Sequence, residues 1–373
     1  MKKKIIIVLL FSVVLTTINS CKKEDGSGSE KIELQQLGNN NVKPKDGIKG
    51  FNHVGNPIIL HELNVLYEYD ESSNTFKKLG NVIPNPAGSA TAKIVQDGLG
   101  DYYYLSSIQG EVFVLNKTTN NWDTVKVAPG YKNQMIANAN GDILVYLDNT
   151  TIGGVESFYK KSANASNWGK VVDMPANNPK VMVPQFLSNA GLAFFTEPSF
   201  PNNALDGEGI YNEVVLNTNT GTFSTLYDKT DSDNFPVTIG YNYIAFSCNY
   251  VSPDGTFYAL VPGQIATKTE LYKISSSTIP SKFVKVSDYN HPPLESGSYV
   301  TMRGCKVNEA TGSIKFRSSC QLGSSSHKNL GTTSTSSSEL KVLQHDGPQN
   351  QLYSSPNGNV YVYNFEGFIY KWK

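Results

Sequence analysis

Residues 91–127 read TAKIVQDGLGDYYYLSSIQGEVFVLNKTTNNWDTVKV, four strand-like runs separated by turns. An apolar run ends at Gln96-Asp97-Gly98-Leu99-Gly100-Asp101. Asp and Gly there tolerate the positive φ that a tight hairpin requires. Tyr102, Tyr103 and Tyr104 then resume an extended stretch. VFVLNKTTNNWDTV (112–125) is a strand, a polar turn and a second strand that opens on Trp122. Alternating apolar positions mark both strands as half-buried. The segment therefore reads as a four-stranded antiparallel sheet.

The unit recurs along the chain. Glycine turns flanked by strand-like residues fall at Gly55, Gly100, Gly141, Gly191, Gly255, Gly312 and Gly358, with gaps of 45, 41, 50, 64, 57 and 46 residues. The second signal returns as LYEYDESSNTFKKL (66–79), SFYKKSANASNWGKV (157–171) and EVVLNTNTGTFSTL (213–226). Phe76, Trp122, Trp168 and Phe223 occupy the same place in each, which predicts core packing between units. A repeat of this length is one blade of a propeller. The fold class is all-β, a seven-bladed β-propeller, with a six-bladed ring as the alternative. The blades span 48–79, 91–127, 133–173, 182–227, 240–286, 298–344 and 350–373. The last holds only three strands. Lys31 to Leu37 is an unclaimed strand at the other end, and pairing it there would close the ring and satisfy both edges. The Ser/Thr-rich stretch Ser324 to Ser338 reads either as a long loop or as a degraded strand of the sixth blade. The strand–turn–aromatic signal resembles the kelch repeat; the double glycine of that repeat occurs once, as Gly153-Gly154.

Residues 1–20 are a leader rather than fold. Lys2 to Lys4 precede an eleven-residue apolar core, Ile5 to Leu15. Such a core is too short to span a bilayer and suits a secretory signal. It ends at Ile18-Asn19-Ser20-Cys21, which resembles the lipobox of bacterial lipoproteins, although Asn19 departs from the small apolar or hydroxyl residue usual there. The resemblance implies lipidation at Cys21 and attachment to the cell envelope, each buried methylene contributing about 0.8 kcal/mol. Residues 21–30 form a Gly/Ser-rich tether. Within it, Lys22-Lys23-Glu24-Asp25 resembles the export signals of Bacteroidetes-type outer-membrane lipoproteins. The propeller domain is 31–373. Removing the leader lysines leaves 29 basic against 32 acidic residues. No basic face is evident, so nucleic acid is not an expected partner.

In a meander of this kind the first–second and third–fourth strand turns share one face of the disc. The second–third and blade-to-blade connections share the other. The expected short turns all fall on the first face and the long segments on the second. Long loops on a rigid scaffold concentrate binding residues. That face is expected to gather Tyr131, Glu197, Asp206, Glu208, Tyr211, Tyr289 and His291, with Asp231, Asp233 and Glu295 nearby. Aromatic rings beside carboxylates suit sugars, since a ring stacks on a pyranose and polar groups read its hydroxyls. They equally suit a protein partner.

Several chemistries are disfavoured. Arginine occurs only as Arg303 and Arg317, against the arginine cluster of sialidase-type propellers, and the repeated Asp-box is absent. The five histidines form no metal-ligand spacing. Asp228 to Asn234 is acidic but lacks the glycine and terminal glutamate of a calcium loop. No cofactor, metal or catalytic residue is assigned. A Cys305–Cys320 hairpin bridge needs its centre between Gly312 and Ser313, two residues beyond the predicted turn. The sequence thus points to a non-catalytic envelope lipoprotein that binds a glycan or an envelope protein through its long-loop face. The alternative is a lyase or hydrolase of polysaccharide at the same face. Cys21→Ser is expected to move the protein from the membrane to the soluble fraction and to abolish acyl mass at the mature N-terminus, as mass spectrometry would read.

Overall fold

The computed structural model describes residues 33–373 apart from 46, 62, 85–92, 106–111, 129–130, 149–154, 176–182, 197–213, 226–247, 252–255, 263–267, 275–282, 291–300, 308–310, 323–324, 338–340, 347–350, 356 and 365. The described residues form five four-stranded antiparallel sheets and one eight-stranded sheet made of two such units joined by a parallel strand pair, seven four-stranded blades in all. Strand β1 (Leu34–Gln36) stands apart at the start. Blade one is β2 (Ile48–Phe51), β3 (Pro57–Leu60), β4 (Leu66–Asp70) and β5 (Thr75–Leu79). Blade two is β6 (Lys93–Gln96), β7 (Tyr102–Leu105), β8 (Val112–Leu115) and β9 (Trp122–Val125). Blade three is β10 (Tyr131–Ala137), β11 (Ile143–Asp148), β12 (Ser157–Lys161) and β13 (Gly169–Asp173). Blade four is β14 (Val183–Leu187), β15 (Leu192–Thr196), β16 (Val214–Asn217) and β17 (Thr222–Thr225). Blade five is β18 (Cys248–Val251), β19 (Phe257–Pro262), β20 (Lys268–Ile274) and β21 (Val284–Asn290). Blade six is β22 (Thr301–Val307), β23 (Ser313–Leu322), β24 (Ser325–Ser334) and β25 (Lys341–Asp346). Blade seven is β26 (Gln351–Ser354), β27 (Val360–Asn364) and β28 (Phe368–Trp372), completed by β1 in the order β26-β27-β28-β1.

Ring closure follows the sequence expectation. Leu34, Gln35 and Gln36 pair with Trp372, Lys371 and Tyr370. Backbone bonds from Leu37 to Ile369 and from Lys373 to Glu33 extend the ladder at both ends. The recurring aromatics pack as predicted. Phe76 and Trp122 are buried. Phe76 lies in the cluster joining blades seven and one, and Trp122 in the cluster joining one and two. Trp168 packs on the core between blades two and three, and Phe223 on that between three and four. Each ring therefore leans back onto the preceding blade. Trp122 also donates its indole N–H to the Asn81 carbonyl at 3.1 Å.

The glycine turns have one construction. Gly55, Gly100, Gly141, Gly191, Gly312 and Gly358 all have positive φ; Gly255 lies outside the described residues. In five blades a polar residue three places earlier caps the turn. Asn52, Asp97, Asn138, Ser188 and Ser355 each accept, through a side-chain oxygen, the backbone N–H of the residue four places on. All five are buried, so each finds inside the fold the partner that its buried oxygen needs.

These turns also tie blade to blade. Asn357 and the Tyr361 hydroxyl bond to the carbonyls of Val54 and Gly55. Gln96 accepts from the His53 backbone N–H at 2.9 Å. Asn138 donates to Ser188 O, and the Ala139 N–H donates to Asn189. Between blades two and three the link is ionic: Lys161 Nζ lies 2.6 Å from Asp97 Oδ2, with exposures of 2% and 0%. The other Asp97 oxygen accepts the N–H groups of Leu99 and Asp101. Gly141 is required by this closeness as well as by its φ of 87°, because a Cβ there would collide with the backbone of Gly98.

Two open readings are decided by the register. Of the two readings of Ser324 to Ser338 the strand holds: Ser325–Ser334 is β24, paired with β23 in unbroken register from Ser313↔Ser334 to Leu322↔Ser325. Serine and threonine serve as strand residues there because the ladder needs only their backbone. Cys305 pairs with Phe316 and Cys320 with His327, so the two cysteines are not cross-strand partners. Lys161→Ala is expected to cost about 3–5 kcal/mol in denaturant unfolding, since it leaves the Asp97 charge buried and unpaired. Combining Asp97→Asn with Lys161→Met removes both charges and keeps the capping oxygen, and should recover most of that loss.

Candidate functional site

Chain direction sorts the connections. The seven turns between first and second strands span four or five residues each, from 52–56 to 355–359. The opposite face carries the longest segments, residues 197–213 and 226–247, which flank the outer half of blade four. It also carries 80–92, 174–182 and 291–300 between successive blades. Not every connection on that face is long: residues 323–324 and 365–367 are the whole of two of them. The asymmetry is therefore real but concentrated around blade four and its entry into blade five.

Glu197, Asp206, Glu208, Tyr211 and His291 lie outside the described residues, as do Asp231, Asp233, Glu295 and Cys21. Tyr131 is the first residue of the inner strand β10, at its long-connection end, opposite Asp148. Tyr289 is a correction. It belongs to β21, pairs with Thr269, and is fully buried between blades five and six. Its hydroxyl donates to the Ser334 carbonyl at 3.3 Å. The last strand of blade five runs to Asn290 rather than stopping at 286, and this draws Tyr289 off the loop and into the core.

The described part of the long-connection face shows features the sequence reading did not single out. Leu63 and Val82 are 71% and 59% exposed. Their two loops are joined by a bond from the Ile83 N–H to the Asn64 carbonyl at 3.0 Å. Nearer the axis, β2 and β6 pair in parallel at Gly50↔Ile94 and Phe51↔Val95. Gly50 permits this approach, since a Cβ would collide with the Ile94 carbonyl. The pairing makes Lys49 and Lys93 register neighbours at the long-connection end. Lys49 is buried. Burial, and then the charge of Lys49, hold the Lys93 ammonium below the usual lysine range. A lysine breaking the apolar start of an inner strand, as in IKGF and KIVQ, was the available signal.

No protein-family model matches the chain, and no curated protein matches it. Solved structures do. An oligogalacturonate lyase from Vibrio parahaemolyticus superposes with a TM-score of 0.56 at 10% identity, covering 91% of this chain and 97% of that one. YCF48 bound to D1 peptide gives 0.51 at 11%, with 93% and 96% covered. The Cps50 (Swd1) β-propeller domain of Myceliophteria thermophila gives 0.50 at 9%, with 91% and 99% covered. At such identities the likeness is one of fold: the chain is a β-propeller, of a shape that serves both lyases and binding scaffolds. Tyr289→Ala is expected to cost about 3–5 kcal/mol of unfolding free energy, in the range of core aromatic deletions. Tyr289→Phe should cost about 1 kcal/mol, the loss of one hydroxyl bond. Chemical denaturation followed by intrinsic fluorescence reads both.

Proposed function

We propose that the protein is a binding propeller of the cell envelope, held by a lipid at Cys21, that captures a glycan or a protein partner through its long-connection face. The observation that carries this reading is the contrast between the two faces. On the short-turn face the buried polar groups are spent on caps and on blade-to-blade bonds, and the turns are of nearly uniform length. On the other face the chain places its longest segments, and Leu63 and Val82 are more exposed there than Val54 and Leu99 are in the short turns. A solvent-facing apolar pair beside long loops is the kind of surface that partners cover.

Catalysis at the same face is the second reading. It draws on the Vibrio oligogalacturonate lyase, a propeller of similar extent, and on His291 as the one loop histidine suited to proton transfer. No acid–base constellation among the described residues supports it, so binding is the reading adopted here.

The test uses the full chain in a non-ionic detergent against a carbohydrate array and an envelope-protein extract. Binding without new reducing ends or unsaturated sugars is the expected result. Replacing residues 197–213 and 226–247 by short Gly/Ser linkers should weaken that binding at least tenfold while leaving the melting temperature within about 3 °C, a shift below 1 kcal/mol for a domain of this size. Turnover of an array sugar, or unchanged binding in the loop-replaced protein, would overturn the reading.

A further inference from the structure

The third and fourth strands of blades one to six are joined on the short-turn face, through residues 71–74, 116–121, 162–168, 218–221, 275–283 and 335–340. In blade seven the third strand is β28 and the fourth is β1, so the chain is open where that turn would be. Three contacts fix the place. Trp372, the last residue of β28, pairs on one side with Leu34 and on the other with Val360, the first residue after the glycine turn 355–359. The Lys373 N–H donates to the Glu33 carbonyl at 3.0 Å. Lys371 Nζ lies 3.1 Å from Glu71, in the third–fourth turn of blade one. Followed toward the N-terminus, the chain therefore leaves the propeller at the rim of the short-turn face.

Cys21 lies only twelve residues before Glu33. Twelve residues reach at most about 42 Å when fully extended, and a Gly/Ser-rich chain of that length has a root-mean-square span of about 20 Å. A compact domain of this size has a radius of gyration of about 20 Å, which makes it about 50 Å across. An anchor on so short a lead stays near the rim from which the lead departs. To turn the long connections toward a membrane, the lead would have to climb the height of a blade, about 17 Å for a five-residue strand, and then pass the long connections as well. Drawing it out nearly straight costs conformational entropy. Charge raises no barrier on the near side. Among the described residues, the short turns hold four carboxylates, and each is paired with a lysine: Glu71 with Lys371, Asp97 with Lys161, Asp101 with Lys117 and Asp142 with Lys160. An anionic lipid surface meets no uncompensated negative charge in those turns.

We infer that the propeller sits on the membrane with its short-turn face toward the lipid surface and its long-connection face turned away. The inference rests on the reading that Cys21 carries a lipid, and deepens it by fixing which face the anchor leaves free. A ligand of the long-connection face then approaches from the side opposite the bilayer, and the lipid head groups lie out of that face's reach. The chain carries its own reporters of this arrangement. Its three tryptophans all stand at the short-turn end: Trp122 opens β9, Trp168 lies in the turn before β13, and Trp372 closes β28.

The test uses the mature full chain, purified with its lipid and reconstituted into vesicles of phosphatidylethanolamine and phosphatidylglycerol that carry a trace of dansyl head-group lipid. Energy transfer from tryptophan to dansyl reads the distance from the short-turn end to the bilayer. A second protein carries a Gly/Ser insertion of about thirty residues after Ser29, which raises the root-mean-square span of the lead to about 36 Å and frees the disc to turn over. Transfer is expected to be at least twofold greater with the native lead than with the long one. Equal transfer in the two proteins, or greater transfer with the long lead, overturns this inference and leaves the lipid anchor standing. A wild-type chain that fails to stay on the vesicles, as expected only of Cys21→Ser, overturns the anchor and this inference together.

Discussion

A closed ring of sheets has to hide the open edge of its last blade, and here the chain does so with its own beginning. Blade seven supplies three strands from residues 351–372, and the outer edge of β28 would expose a row of unpaired backbone groups. Pairing β1 there converts that edge into an interior ladder and ties the two ends of the chain into one sheet. Everything that depends on the blades keeping a fixed angle to one another depends on this closure. The buried links on the short-turn face act in the same direction. From blade seven through to blade four, each junction carries a polar contact made by the capped turns, with Asp97–Lys161 as its ionic member. Between blades six and seven, Lys315 donates to the carbonyls of Trp372 and Lys373.

The parts of the fold that were legible in the sequence are those set by local backbone chemistry. An Asn or Asp near a glycine, followed by an alternating run, announces a hairpin wherever it occurs, and the recurrence of that signal yields the blade boundaries within a few residues. Trp122 and its counterparts were legible as core because the aromatic always follows the same turn. What escaped was long-range. Nothing local distinguishes Lys161 from the exposed lysines of other strand ends; only the approach of blade two turns it into the partner of Asp97. Tyr289 looked like a loop residue because polar neighbours hide the continuation of its strand. The serines of β24 have low strand propensity and are held there by pairing on both sides.

The candidate site divides in the same way. The face that carries the long connections follows from chain direction, and so could be deduced from the sequence. Which residues occupy it depends on strand register. The skips in inner-strand register at Lys49, Asn133, Gln185 and Arg303 are invisible to a pattern search, since a single skipped residue changes the pairing and leaves composition untouched. The short-turn face is spent on cohesion.

Native-state hydrogen exchange across the full chain tests the closure most directly. If the ring is one cooperative unit sealed by β1, the amides of Gln35 and Leu37, which face β28 in the ladder, should exchange with the same free energy as those of β11 and β16, the global unfolding value. Exchange of Gln35 and Leu37 at a markedly lower free energy, with the other blades still protected, would show that the first strand is an ornament on a ring held shut by other means.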